Sequence, residues 1–447
     1  MSEIDFLSVA ELGARYRRKS LSPVEVTERA LARIKALDGR LNAFITLLEQ
    51  DSLADAAAAE RELSQGHDRG PLHGVPVAIK DLIAMAGAPT TFASRAGSPR
   101  YPQKDAVLVK NLRKTGAVLI GKTNLLEYAY GAVHPEIGQT NNPWDPKRTS
   151  GGSSGGSAAG VASGMCFAAI GTDTGGSIRI PAAYCGIAGL KPSYGLVDLD
   201  GVQALSWSLD HAGPLARRVA DAARLLEGMT GGSFPARPHG LKGLRFGIMD
   251  HPGQDRFLQR AVQDHFEQAI AKLRQAGAEV QPVSIVGLEH AADALLTILE
   301  PEASVIHQRL IAAEPGGFGE MTRLQIEAGF ALPATAYIRA QQLQRELARR
   351  YDQLFARVDA ILSPSVPWVA PAEDPVLGDD GGEGEMLYSA IYNLTGLPAL
   401  SVFAGLSPEK LPVGLQIVTP WRTDDLALSI GAALEALIPP VRAPLEP

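Results

Sequence analysis

Cysteine is scarce. Two residues in 447, Cys166 and Cys185, cannot build a disulfide framework, and Cys166 stands in an apolar run where a buried thiol is the expected state. Long hydrophobic runs are missing as well. No stretch of about 18 apolar residues occurs, so no transmembrane helix is expected, and the acidic, amphipathic first dozen residues lack the basic-then-apolar order of a secretory signal. Positive charge is not in excess. The 42 Lys and Arg against 49 Asp and Glu leave a net charge of −7, with no basic stripe interleaved with aromatics, which excludes nucleic acid as partner and leaves a small molecule. The nine histidines show no HExxH or paired-ligand spacing and the cysteines stand apart, so neither a metal nor another cofactor is expected. These absences predict a soluble, cytoplasmic protein with no membrane contact.

What is present reads as α/β. Residues 5–65 read as helices. Ser22, Pro23 and Glu25 carry a capping-box pattern with Pro at the first helical position, followed by Val26, Ala30, Ile34 and Leu37 at helical spacing. These helices cover the core or serve a homodimer contact rather than carry chemistry. Short apolar runs at 75–81 and 117–122 read as strands around a helix ending near 116, and a β-α-β rhythm returns at 244–285. Residues 125–131 read as helical, with Tyr128 and Tyr130 packed in the core or, as the alternative, lining a pocket. A loop is predicted at 208–214 and a Gly/Pro-rich linker at 231–240. Late strands are predicted at 359–363, 399–403 and 413–418. The acidic, Gly-rich stretch 371–385 reads as a mobile surface loop, with substrate gating as its alternative use.

One stretch dominates the chemistry. Residues 151–182 hold two Gly/Ser clusters, Gly151-Gly152-Ser153-Ser154-Gly155-Gly156-Ser157 and Gly175-Gly176-Ser177, joined by an apolar run suited to a helix end and a buried strand. Glycines there permit close backbone approach to a ligand, and their successive N–H groups can converge on an anion. A flexible linker would share the composition but not the apolar centre or the lone pair Asp173 and Arg179.

Several motifs fail on context. Residues 77–80 spell the strand lysine of protein kinases, yet no glycine-rich loop precedes them and no catalytic loop follows. Residues 151–155 have nucleophile-elbow spacing but follow a polar, turn-rich segment instead of a buried strand. A phosphate-binding loop would need a lysine after the glycines. What survives is a serine nucleophile without a histidine, served by Lys80, which ends an apolar strand. That lysine is either a solvated strand end paired with Asp81 or a desolvated base with a lowered pKa.

These residues carry a resemblance. The pattern from 151 to 182, including GGSSGG, Asp173, Gly175, Ser177-Ile178-Arg179 and Pro181, resembles the amidase signature family. GVPVAIKD at 74–81, NPWD at 142–145, SLDHAGP at 208–214, GLP at 396–398 and PVGLQI at 412–417 agree with it. The resemblance implies one domain over 1–447, an α/β/α sandwich around a large mixed sheet, with a helical region at 1–65 and a variable, substrate-side region at 231–390. It implies Ser177 as nucleophile, Ser153 as bridging serine with a cis peptide bond, Lys80 as base, and an oxyanion hole at Thr174, Gly175 and Gly176. The implied activity is hydrolysis of a small-molecule amide through an acyl-enzyme.

Substrate contacts are expected from Tyr130, Gly131, Ser154, Arg179 and Trp207. Ser154 and Ser157 read mainly as structural hydroxyls and Arg179 mainly as a partner for Asp173, with an acidic substrate as its alternative partner. The family also holds a glutaminase component of glutamyl-tRNA amidotransferase. As the resemblance has it, that component carries an aspartate where this chain has Met386, which favours the stand-alone amidase over the transamidase component. The remaining alternative is a catalytically silent binding relative, which would not need Lys80, Ser153 and Ser177 together.

Overall fold

Eleven strands of the computed structural model, which describes residues 3–236, 240–377 and 380–446, join one mixed sheet. In chain order the strands are β1 (Phe44–Leu47), β2 (Pro76–Lys80), β3 (Val118–Thr123), β4 (Asn141–Asn142), β5 (Asp145–Thr149), β6 (Ala168–Asp173), β7 (Ala188–Lys191), β8 (His211–Ala216), β9 (Arg245–Met249), β10 (Glu279–Val283), β11 (Ala360–Pro364), β12 (Ala399–Leu406) and β13 (Pro412–Val418). Across the sheet they run β1-β3-β2-β6-β8-β7-β12-β13-β11-β9-β10, while β4 and β5 form a separate hairpin. β2 lies parallel to both β3 and β6. β9 lies parallel to β10 and β11, and the pairings between these two parallel blocks are antiparallel.

The buried strands β2 and β6 are apolar almost throughout, as strands covered on both faces must be. Successive side chains alternate between two cores. Val77, Ile79, Leu119, Ala168 and Ile170 join one, with Leu108 and Leu112 of the helix Val107–Lys114 and Leu225 and Leu226 of Val219–Thr230. Ala78, Ile120, Ala169 and Leu215 join the other, with Leu31, Ile34 and Leu37 of Pro23–Leu41 and Ala158, Ala159 and Val161 of Gly155–Ala162. Helices therefore flank both faces. Gly156 lets the second of these helices approach the sheet, since a Cβ there would meet the carbonyl of Ala43 and the backbone of Asn124.

Ser22 caps the helix Pro23–Leu41, its hydroxyl accepting the N–H groups of Val24 and Glu25. The reciprocal capping box is at Ser8 and Glu11 instead, where the side chain of each bonds the backbone of the other.

Three predicted elements are corrected. The helical region 5–65 contains β1, which pairs with β3 at one sheet edge. Residues 125–131 make only a 3-10 turn at Glu127–Ala129, because Tyr128 and Ala129 adopt positive φ. The rings of Tyr128 and Tyr130 are buried as predicted, Tyr128 stacking on Phe92 at 4.8 Å. The loop at 208–214 becomes β8 from His211 onward. β7 pairs with β8 only at Leu215 and Ala216, so Pro214, which lacks an N–H, sits where one side carries no ladder. Of the stretch read as a linker, residues 231–236 and 240 lie outside helices and strands, and 237–239 fall outside the described residues.

Candidate active site

Lys80 ends β2 with its side chain fully buried. Burial pushes its ammonium down to about 7, while the charges of Asp173 and Asp210 act in the opposite direction. It is not paired with Asp81, whose carboxylate binds the buried Lys122 at 2.8 Å. Instead, Nζ lies 2.7 Å from Ser153 Oγ, 2.9 Å from Ser154 Oγ and 2.9 Å from Thr172 Oγ1. A neutral amine has two N–H donors and one lone pair, so it can give two of these contacts and accept the third.

The two serines play different parts in this trio. Ser154 Oγ donates to the Thr172 carbonyl (3.1 Å) and accepts the Thr172 N–H (3.2 Å). Its proton is thus engaged, and its contact with Lys80 is that of an acceptor. Ser153 Oγ bonds only Lys80 among the described residues, which leaves it free to present its proton to Nζ. The structural reading of Ser154 therefore gains a definite geometry, and Thr172, which the sequence did not single out, completes the lysine's surroundings.

The Gly152–Ser153 peptide bond is cis. The Ser154 N–H donates to the Ser177 carbonyl at 3.1 Å, which ties the two serine turns together, and the Leu126 N–H donates to the Ser153 carbonyl at 3.3 Å. Between residues 151 and 182 every residue is buried except Ser177, which is half-buried. The serine expected to attack is thus the one that solvent reaches.

The turn at Thr174–Ser177 is held from three directions. Thr174 Oγ1 donates to Asp210 Oδ1 at 2.7 Å, and Asp210 Oδ2 accepts the N–H groups of Leu205 and Ser206. Burial raises Asp210 to about 6, against the lowering effect of these hydrogen bonds. Ser389 Oγ donates to the Gly175 carbonyl at 2.5 Å. Gly176, at φ +143°, must be glycine, because a Cβ would lie 2.5 Å from Ser389 Oγ and 2.6 Å from Ile180 Cδ1. Its N–H donates to Asp173 Oδ1 at 2.9 Å. That bond withdraws Gly176 from the expected oxyanion donors and corrects the prediction at this position.

Asp173 and Arg179 form a fully buried ion pair. Burial acts to raise the Asp173 carboxyl, but the Arg179 charge and hydrogen bonds hold it well below the usual carboxylate range. Arg179 engages all five of its donors: Nε and one Nη2 hydrogen go to Asp173, the other Nη2 hydrogen to Asn393, and Nη1 to Ser389 O and Gln416 Oε1. No donor is left for an acidic substrate, so that expectation is corrected and the loop-fixing reading stands. Arg179→Ala strands the Asp173 carboxylate and is expected to destabilise the fold by about 3–5 kcal/mol. Urea unfolding followed by circular dichroism measures this, and Arg179→Lys, lacking the planar fork, is expected to restore only part of the loss.

The remaining predicted contacts separate. Tyr130 is buried and its hydroxyl donates to the Gln325 carbonyl at 3.4 Å, so it packs rather than presenting a free hydroxyl. Gly131, at φ +90°, abuts Leu377, whose Cδ1 a Cβ would meet at 2.6 Å. Trp207 is 49% exposed. The acidic stretch 371–385 is not simply a surface loop, although 378–379 lie outside the described residues. Asp374 Oδ1 accepts from Thr149 Oγ1, which itself accepts the Gly151 N–H at 2.9 Å. Glu385 is buried and accepts from Tyr184 OH at 2.7 Å. Burial first, and then Asp374, raise its carboxyl to about 8. The stretch braces the first serine turn.

With this geometry in place, comparison with known proteins places the chain. The amidase family model matches residues 25–428, a span that includes Lys80, Ser153 and Ser177. The chain belongs to the amidase family. It is a hydrolase acting on amide C–N bonds. It is similar to an amidase of Pseudomonas putida, 36% identical over 92% of each chain. It is also similar to a glutamyl-tRNA(Gln) amidotransferase component of Alkaliphilus metalliredigens, 35% identical over 97% of this chain and 96% of that one. Among solved structures, the native peptide amidase of Stenotrophomonas maltophilia superposes with a TM-score of 0.85 at 34% identity, over 98% of each chain. Among the described residues, no helix is long and apolar enough to cross a membrane.

Proposed function

We propose that this amidase cleaves a small-molecule carboxamide through an acyl-enzyme on Ser177, with Ser153 as proton relay and Lys80 as base. The observation that carries the reading is the 2.7 Å contact between a fully buried Lys80 and a Ser153 hydroxyl with no other partner among the described residues, next to the single half-buried serine of the segment. Ser177 passes its proton to Ser153 Oγ as Ser153 passes its own to Lys80 Nζ, and Ser177 Oγ bonds to the amide carbon. The N–H groups of Thr174, Gly175 and Ser177 face the developing oxyanion. One such donor is worth about 2.7–4 kcal/mol in other hydrolases. The lysine proton then returns through Ser153 to the leaving nitrogen and the C–N bond breaks. Water attacks the ester by the same route and releases the carboxylate.

A small carboxamide is favoured over glutamine by the wall beside the turn. A Cβ on Gly175 would lie 3.1 Å from Met386 Sδ and 3.7 Å from Leu295 Cδ2, both buried. A thioether and a leucine offer no countercharge to the α-ammonium of glutamine. A panel of aliphatic and aryl amides, with glutamine included and ammonia detected enzymatically, tests this. Ammonia from simple carboxamides and none from glutamine is expected. Release from glutamine alone would favour the transamidase component.

A further inference from the structure

Glu302, on the helix Ala291–Ala313, is a buried carboxylate, and no step above uses it. Four donors converge on it. Ser206 Oγ (2.6 Å) and the Ser208 N–H (3.2 Å) reach Oε2, while Ser208 Oγ (2.7 Å) and Tyr337 OH (2.8 Å) reach Oε1. The residue between the two serines is Trp207, whose own carbonyl accepts from Tyr194 OH at 2.8 Å. A buried charge has therefore been committed to fixing both flanks of a single exposed aromatic residue. Ordinary surface aromatics need no such support.

The position of this segment matters. Val202 bridges Ile83, and the Gln203 N–H donates to the Leu82 carbonyl, just past Lys80 at the end of β2. Further on, Asp210 takes the Thr174 hydroxyl at the end of β6, which is parallel to β2. Residues 202–210 thus run across the C-terminal ends of the inner strands β2 and β6, where Lys80 and the Thr174–Ser177 turn sit, and Trp207 is the large exposed apolar side chain of that crossing.

We infer that Trp207 is a specificity-determining wall that stacks on a planar, aromatic part of the amide substrate, and that Glu302 is the positioning residue that holds it. This rests on the proposed small-amide reading and names a substrate class for the same site. A rigidly held indole gives a large contact area at low entropic cost, and its face prefers a flat ring to a puckered one of equal size.

The test uses the full-length protein and three probes: 3-phenylpropionamide, 3-cyclohexylpropionamide and propionamide. The wild type is expected to have its lowest KM for the phenyl amide. Trp207→Ala is expected to raise that KM about three- to tenfold relative to propionamide and to erase the preference for phenyl over cyclohexyl, whereas Trp207→Phe keeps it. Glu302→Gln is expected to shift the same KM ratio in the same direction and to change kcat for the phenyl amide less than KM. With Trp207→Ala already in place, it should add little. Equal KM changes for all three amides, or a wild type indifferent to ring planarity, would overturn the inference while amide hydrolysis itself persisted. Failure to cleave any of the three would count against the small-amide reading instead.

Discussion

Ser177→Ala is expected to lower kcat for amide hydrolysis by about 10^5-fold or more while leaving the fold intact. The hydroxyl is the proposed site of the covalent bond, and without it the remaining oxyanion donors and bound water supply only residual catalysis. The substitution removes one oxygen from a half-buried position, so unfolding should be nearly unchanged. The comparison with Ser153→Ala is informative. As the proposed proton relay Ser153 would form no bond to substrate, so its loss is expected to be smaller, about 10^2–10^4-fold. Steady-state kinetics by ammonia release, with circular dichroism as the control for folding, measures both.

The second large effect concerns Lys80. Lys80→Met, which keeps an unbranched apolar stem in the same space, is expected to lower kcat about 10^3–10^4-fold with little change in KM, because the proposed proton acceptor is lost and no binding group with it. The wild-type pH profile follows from the same residue. Burial sets the amine at about 7. Below that pH Nζ carries the extra proton and has no lone pair for Ser153, so kcat/KM should fall tenfold per pH unit. Above it the profile should level. Asp210, raised to about 6 by burial, stays ionised across the plateau and keeps its hold on Thr174. In Lys80→Met the limb near pH 7 should vanish, a change that a merely structural lysine would not produce.

The candidate site is more legible in the sequence than its surroundings. A lysine at the end of an apolar strand and two Gly/Ser clusters were enough to point to the serines, since so many small and polar residues in a buried region have few structural uses. Local pattern could not rank the lysines. Lys122 and Lys191 also sit at strand ends, and both are fully buried. Lys122 is neutralised by Asp81, and Lys191 donates to the Pro192 carbonyl. Only the tertiary arrangement shows that Lys80 alone of the three faces the serine hydroxyls. The same limit hid Glu302, whose serine partners lie 94 and 96 residues away in sequence, and Asp374, whose threonine partner lies 225 away. Neither spacing nor periodicity could connect them. The pairing of Arg179 with Asp173 is legible in the sequence, while an acidic substrate stays open there as the alternative because an arginine beside a glycine-rich turn suits a substrate anion as well as a loop. Three of its acceptor residues, Ser389, Asn393 and Gln416, come from the far end of the chain. The loop at 208–214 concealed β8 because Gly213 and Pro214 favour turns, an outcome overridden by pairing along the whole of β6.

The central claim is that Ser177 attacks and that Lys80, through Ser153, makes it able to. Its most direct test is covalent labelling with a fluorophosphonate, read by intact mass and peptide mapping as a function of pH. A single adduct on Ser177, absent in Ser177→Ala and formed at a rate that rises through about pH 7 in the wild type but not in Lys80→Met, is the predicted result. An adduct on Ser153 or another residue, or equal labelling rates in Lys80→Met and wild type across that range, would contradict it.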